Sequence, residues 1–258
     1  MENVLNISAY LFTRITDREQ LRPVLRERAE AAGLKGTILL AEEGINVFLA
    51  GEAGAVRGYV EELRADPRFA ALTTTETRSA EQPFRKMLVK LKREIIRMDH
   101  PTIRPAEERA PAVAPGTLKR WLDQGHDDDG REVVLLDTRN AFEVDYGTFE
   151  GAIDWRIARF THFPEAASTH REALEGKTVV SFCTGGIRCE KAAIYLREEG
   201  IDALQLDGGI LGYFEHVGHD HYDGECFVFD EREALAPDLT PRGGVTSSAD
   251  HRTPAIPR

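Results

Sequence analysis

Along the first hundred residues the spacing of apolar positions changes from segment to segment, and each change predicts an element. Ile7 to Phe12 is a short apolar run of strand type. Leu21, Val24, Leu25 and Ala29 then recur at helical spacing behind Asp17, predicting a capped helix over 18–32 that Gly33 ends. Two runs, 36–41 and 45–50, read as strands joined by the tight Glu42-Glu43-Gly44 turn. Val56, Tyr59, Val60 and Leu63 mark the inner face of a second helix over 53–65, stopped by Asp66-Pro67. Strand-like pieces follow at 71–77 and 87–95. The order β-α-β-β-α-β is that of a ferredoxin-like sandwich over 1–99.

The pattern then breaks. Residues 100–116 hold four prolines (Pro101, Pro105, Pro111, Pro115) and little periodicity, which predicts a linker. A short helix over 117–123 and an acidic turn, Asp127-Asp128-Asp129-Gly130, precede continuous apolar strands at 133–137, 179–182 and 203–206. Helical stretches at 163–175 and 190–199 separate them. Buried strands alternating with helices predict an α/β domain with a parallel sheet over 117–232. In such sheets chemistry sits at the carboxyl ends of strands, where both Asp137 and Cys183 fall. From 233 to 258 the chain is rich in Pro, Gly, Ser, Thr and charge, and a disordered tail is expected.

Composition narrows the class. No run of about 18 apolar residues is present, so no membrane span is expected. The N-terminus lacks the basic-then-apolar layout of a secretory signal. Three cysteines in 258 residues do not make a disulfide framework, which points to a reducing cytoplasm. The net charge is −11, but residues 1–100 hold 16 Lys and Arg against 15 Asp and Glu. Residues 84–97 alone carry six cations (Arg85, Lys86, Lys90, Lys92, Arg93, Arg97) against one anion. Such a stripe can bind a phosphate backbone, or it can guard a sheet edge.

The chemistry concentrates at Cys183-Thr184-Gly185-Gly186-Ile187-Arg188, which joins a strand to a helix start. Loop amides and the positive helix end favour a thiolate over the free thiol, whose pKa is about 8.5. Gly185 and Gly186 let several N–H groups turn onto one sulfur, and Arg188 adds a cation for the anion. Arg188 lies five positions after Cys183. Protein phosphatases with a cysteine nucleophile require six, so the loop suits sulfur better than phosphate.

Residues from about 115 to 225 resemble a rhodanese domain. Asp137-Thr138-Arg139 with Glu143, Gly147 and Gly151-Ala152-Ile153 is similar to its early motif, with Thr148 at the position of the family's His. Leu206-Asp207-Gly208-Gly209-Ile210 with Tyr213 is similar to its late motif. Three strings widen the resemblance to nearly the whole chain: Ala41-Glu42-Glu43-Gly44-Ile45-Asn46, Cys183 to Lys191, and Gly224-Glu225-Cys226-Phe227-Val228-Phe229-Asp230-Glu231-Arg232. They resemble the rhodanese-containing tRNA uridine hydroxylases. The resemblance implies an acylphosphatase-like N-terminal domain, tRNA as partner through its anticodon loop, and 5-hydroxyuridine made at the wobble position. It also implies molecular oxygen as co-substrate; no flavin or iron site is evident in the sequence. Longer members carry a cysteine-containing segment beyond the third string, and the resemblance does not extend to it. A plain sulfurtransferase using a Cys183 persulfide is the alternative, and a sensor built on Cys183 and Cys189 is a third reading. Nothing in the sequence sets an oligomeric state.

Other residues carry weaker expectations. Cys189 is a candidate resolving thiol for Cys183. Arg139, Arg156 and Arg159 are candidates for the pocket mouth and RNA phosphates, with ion pairing to Asp137 or Glu143 as the structural alternative for Arg139. Phe160, His162 and Phe163 are candidates to stack on a base, or to pack a helix start. His216, His219, His221, Asp223 and Cys226 match no standard zinc spacing, so no metal is assigned.

Overall fold

The computed structural model describes residues 4–242, so the disorder expected for 243–258 lies outside the described residues. The first unit runs β1 (Val4–Phe12), α1 (Arg18–Ala31), β2 (Lys35–Ala41), β3 (Gly44–Gly51), α2 (Ala53–Arg64), β4 (Thr75–Ser79) and β5 (Met87–Leu91). Its sheet has the order β4-β1-β3-β2-β5, antiparallel except that β5 adds to β2 in parallel. Alternate residues of β1 (Leu5, Ile7, Ala9, Leu11) share a core with Leu25 and Ala29 of α1 and Val56, Val60 and Leu63 of α2. This is the α+β sandwich expected from the periodicity.

Two local readings change. Asp17 sits at the start of α1 but caps no amide, because its carboxylate pairs with Arg68. β5 stops at Leu91, short of the predicted residue 95, and the Glu43 carboxylate accepts the Ile95 N–H at 2.8 Å.

The second unit runs β6 (Ala112–Val113), α3 (Pro115–Gln124), β7 (Val133–Asp137), α4 (Ala141–Val144), β8 (Gly147–Phe149), β9 (Ile153–Asp154) and α5 (Phe163–Thr169). It continues with β10 (Thr178–Phe182), α6 (Ile187–Glu198), β11 (Ala203–Leu206), α7 (Gly209–His216), β12 (Tyr222–Gly224), β13 (Cys226–Phe227) and β14 (Ala234–Leu235). The sheet β6-β11-β10-β7-β9 is parallel throughout. β6 falls inside the predicted linker: two residues are too few to show a period, yet they pair with Gln205 and Leu206. Met98, Ile103 and Ala110 are buried in a core of the second unit, while most residues between them are exposed. β14 likewise falls in the expected tail; Ala234 and Leu235 are fully buried and pair with β13.

The two units meet on the first turns of α6. Lys191 is 1 % exposed, and its Nζ reaches Glu94 Oε2 at 2.7 Å, Glu43 Oε1 at 2.9 Å and the Ile96 carbonyl at 2.9 Å. Glu190 is 0 % exposed and accepts from Arg109 at 2.7 and 3.0 Å and from the Tyr10 hydroxyl at 3.1 Å. Charges buried this way require near-complete pairing, since desolvation costs several kcal/mol per ion. The Ala41–Asn46 turn and β1 supply two of those five partners, Glu43 and Tyr10, from the other unit. Burial raises the Glu43 carboxyl pKa, against the pull of the Lys191 charge beside it.

Candidate active site

β10 is the central strand of the parallel sheet, flanked by β7 and β11, and Cys183 follows it directly. The chain reverses into α6 at Gly186, whose φ of +100° is the left-handed region that glycine enters without strain. A Cβ there would lie 3.0 Å from the Tyr10 hydroxyl. Gly209, at φ +61°, permits a second close approach: a Cβ would stand 2.4 Å from the Cys183 carbonyl oxygen. With glycine there, the Ile210 N–H reaches the Cys183 carbonyl at 2.9 Å and the Leu211 N–H reaches that of Thr184 at 3.0 Å. The start of α7 therefore clamps the loop, which is a physical reason for the Gly208-Gly209-Ile210 string.

The loop is arranged for an anion. Cys183 is 0 % exposed, and the Gly186 N–H donates to its sulfur at 3.2 Å. Burial pushes the thiol pKa up, but it is outweighed by the adjoining Cys189 thiol, the Arg188 charge and the Cys189 and Arg188 amides, which bring it down to about 5. Burial and the neighbouring Cys183 charge push Cys189 the other way, well above the usual thiol range. The Cys189 thiol lies 2.9 Å from the Gly186 carbonyl oxygen, and a Cys183 thiolate is the stronger acceptor for its one proton. Opposite shifts on adjacent thiols give one nucleophile and one proton holder. Reaction with iodoacetamide should follow that asymmetry. Below about pH 5 the protonated Cys183 thiol is inert, and the relative rate should rise through pH 5 and level off well before pH 8.5. A midpoint near that of a free thiol, read by mass spectrometry of the Cys183 peptide, would refute the assignment.

Arg188 does not stand open to an incoming anion. Its guanidinium forks onto the Glu143 carboxylate with two contacts of 2.6 Å, and its Cζ lies 5.9 Å from the centre of the Phe229 ring. Glu143 is held by α4, where its second task is to accept the Asn140 N–H at 3.1 Å in a capping box. Arg188 thus acts on Cys183 by charge while Glu143 fixes its position.

Arg139 takes the ion-pairing alternative. It is 0 % exposed, bound to Asp137 at 2.6 and 3.0 Å and to the Gly147 carbonyl at 2.6 Å. Asp137 is buried in turn and also accepts from Thr148 at 2.8 Å. Their place is beneath the strand ends, where they brace β8, and they reach no RNA. Thr148, standing where the rhodanese pattern has His, is a member of that brace. Phe160 and Phe163 are also buried in the core, packed with Ile157 and Tyr195, so neither offers a face to a base; His162 is exposed. Arg156 is exposed and pairs with Asp145 and Asp154, whereas Arg159 is exposed with no ion pair among the described residues.

Lys86, Lys90 and Lys92 are exposed on or beside β5, the edge strand, and make no ion pair among the described residues, while Arg93 and Arg97 pair with Asp99. His221 bonds Asp123 at 2.7 Å, and His216 lies 2.8 Å from the Gly212 carbonyl. No group of three or more potential metal ligands gathers among the described residues. Cys226 is buried, and burial pushes its thiol up to about 12. No described helix is long and apolar enough to cross a membrane.

Sequence reasoning did not single out Tyr10, Glu190 or Arg109, nor Glu143 as the partner of Arg188. Only Glu143 left a local signal, three residues after Asn140 in a capping pattern.

Comparison with known proteins agrees with this architecture. Residues 4–95 match the family described as UPF0176 acylphosphatase like domain, and residues 115–216 the rhodanese-like domain. A protein of Variovorax paradoxus (strain S110) named tRNA uridine(34) hydroxylase is 68% identical over 249 residues, covering 96% of this chain and 95% of that one. Proteins of the same name from Delftia acidovorans (strain DSM 14801 / SPH-1) and Bordetella avium (strain 197N) are 65% and 63% identical, each over 93% of this chain and over 91% and 99% of their own length. With both domains present in order and this identity along nearly the whole length, the chain belongs to the tRNA uridine(34) hydroxylase family, as a tRNA-modifying enzyme that carries a rhodanese domain.

Proposed function

We propose that this enzyme hydroxylates the wobble uridine of the tRNA anticodon loop to 5-hydroxyuridine, with dioxygen as oxygen source and Cys183 as the essential thiol. The observation that carries the reading is the near-full-length likeness to proteins named for uridine 34 of tRNA. One oxygen atom replaces the hydrogen on C5 as hydroxyl. The other leaves as water, taking up two protons and two electrons from an external reductant of the thiol class. Cys183, held as an anion by the Gly186 amide and the Arg188 charge, is the reactive group of the site. Cys189 is the thiol that resolves an oxidised Cys183 sulfur in this reading. Lys86, Lys90 and Lys92 on the β5 edge supply cations for the flanking phosphates. The tRNA substrate and three free cysteines suit a cytoplasmic enzyme.

The test uses isotopically heavy dioxygen. Purified enzyme, unmodified tRNA and a thiol reductant should give 5-hydroxyuridine carrying the heavy isotope, read by nucleoside mass spectrometry. Product that takes its label from heavy water would overturn dioxygen as the source. Failure to form hydroxylated uridine under any condition would overturn the reading itself.

A second reading rests on the rhodanese-like match and the five-residue step from Cys183 to Arg188. In it, Cys183 takes the outer sulfur of thiosulfate, releases sulfite, and passes the sulfur to an acceptor. Robust sulfite release with tRNA nucleosides unchanged would favour that chemistry.

A further inference from the structure

Four aromatic rings gather beside the Cys183 loop, and none has a task in the core. Phe227 lies at the centre, with Phe142 at 5.2 Å, Tyr146 at 5.2 Å and Phe229 at 5.0 Å between ring centroids. Phe142 is 40 % exposed and Phe229 51 %, two of the three large apolar side chains the described chain leaves in solvent. Both are tied to the loop. Phe142 precedes Glu143, the partner of Arg188, and Phe229 takes the Arg188 guanidinium against its ring. The Thr184 hydroxyl donates to the Phe227 carbonyl at 3.3 Å, fixing the rim to the loop itself. Thr184, Gly185 and Ile187 are the half-exposed members of that loop, so its open side and the rim are neighbours.

The rim also continues into the basic edge. Two residues past Phe229, the Glu231 N–H meets the Pro83 carbonyl at 3.3 Å, and the Glu231 carboxylate meets Arg85 at 2.7 Å. Lys86, Lys90 and Lys92 follow along β5. Flat aromatic faces beside a line of unpaired cations form the layout that grips single-stranded nucleic acid: bases stack on the rings while the cations follow the backbone. A protein partner would be expected to meet a broader apolar surface than two rings among charges.

We propose that Phe229, linked to Phe142 through Phe227, is the platform on which the splayed-out wobble uridine stacks as it enters the Cys183 loop. This assigns the base contact to the 226–232 string and α4, in place of the buried Phe160 and Phe163. It rests on tRNA being the substrate.

The test compares two anticodon stem-loop RNAs, one with uridine at the wobble position and one abasic there. Fluorescence anisotropy reads their binding to the full chain. The wild type should bind the uridine RNA on the order of 10-fold more tightly. Phe229→Ala should erase most of that difference, Phe229→Trp should keep it, and both should leave binding of the abasic RNA close to wild type. Phe229→Leu, which keeps the apolar volume without the ring face, should behave like alanine if the alanine variant folds poorly. A Phe229→Ala protein that retains the full preference for uridine overturns the platform, as does a wild type with no preference. A change in sedimentation with the preference intact also overturns it and marks a protein interface instead. Nucleoside analysis of the wild-type reaction separates these failures from a failure of the tRNA reading.

Discussion

Replacing Cys183 by serine should abolish uridine hydroxylation, with a loss on the order of 1000-fold or more, while the protein stays folded. The substitution is nearly isosteric at a fully buried position, and the Gly186 N–H can still donate to the new oxygen. What it removes is the anion. A thiol whose pKa falls to about 5 is almost wholly ionised at neutral pH, whereas a serine hydroxyl in the same cradle stays protonated. Nucleoside mass spectrometry on tRNA from a deletion strain, complemented with either form, gives the measurement. A thermal melt of the purified variant guards against trivial unfolding. Wild-type levels of 5-hydroxyuridine with the serine protein would remove Cys183 from the mechanism. Cys226→Ser makes an internal contrast, because Cys226 is buried among apolar groups and its raised pKa keeps it neutral.

The second large effect is on stability. Glu143→Ala should lower the free energy of unfolding by about 3–5 kcal/mol, since it strands a buried guanidinium. Arg188 has its two close contacts to this carboxylate, and Asn140 loses the acceptor for its N–H in the same stroke. Against a total of about 5–15 kcal/mol for an ordinary domain, that is a large share. Urea unfolding should show a lower midpoint with an unchanged slope. A loss below about 1 kcal/mol would mean that Arg188 finds water or another partner, and that the pair matters less to the fold than its burial indicates.

How much of this could be read from the chain depends on distance along it. The sandwich was legible because each of its elements carries its own period: Val56, Tyr59, Val60 and Leu63 face inward together whatever they meet. The placement of Cys183 was legible for a related reason, since a β-branched strand followed by Gly-Gly and a helix start is a local pattern. β6 and β14 were not, because two residues have no period and acquire strand geometry from partners about ninety and eight positions away. Arg139 and Phe160 each left two roles open, RNA contact or packing, and the structure buries both side chains. Exposure is a property of the packed molecule, so residue type alone could not choose between those roles. Glu190 and Lys191 belong to a family string, but the string carries no sign of their burial: two adjacent charges on a helix read as surface until a second domain covers them.

That last feature bears on how such proteins can be recombined. α6 holds the nucleophile's loop at its start and the covered charges one turn later. The piece of chain that completes this helix therefore includes Tyr10, Glu43 and Glu94 from the first unit. A chimera joining one relative's sandwich to another's rhodanese domain must carry those three side chains across the join. Otherwise it leaves the Lys191 ammonium without its two carboxylates and Glu190 with Arg109 alone, a few residues from the reacting sulfur. The exchangeable module is thus a sandwich and a rhodanese domain taken together with the side chains that meet on α6.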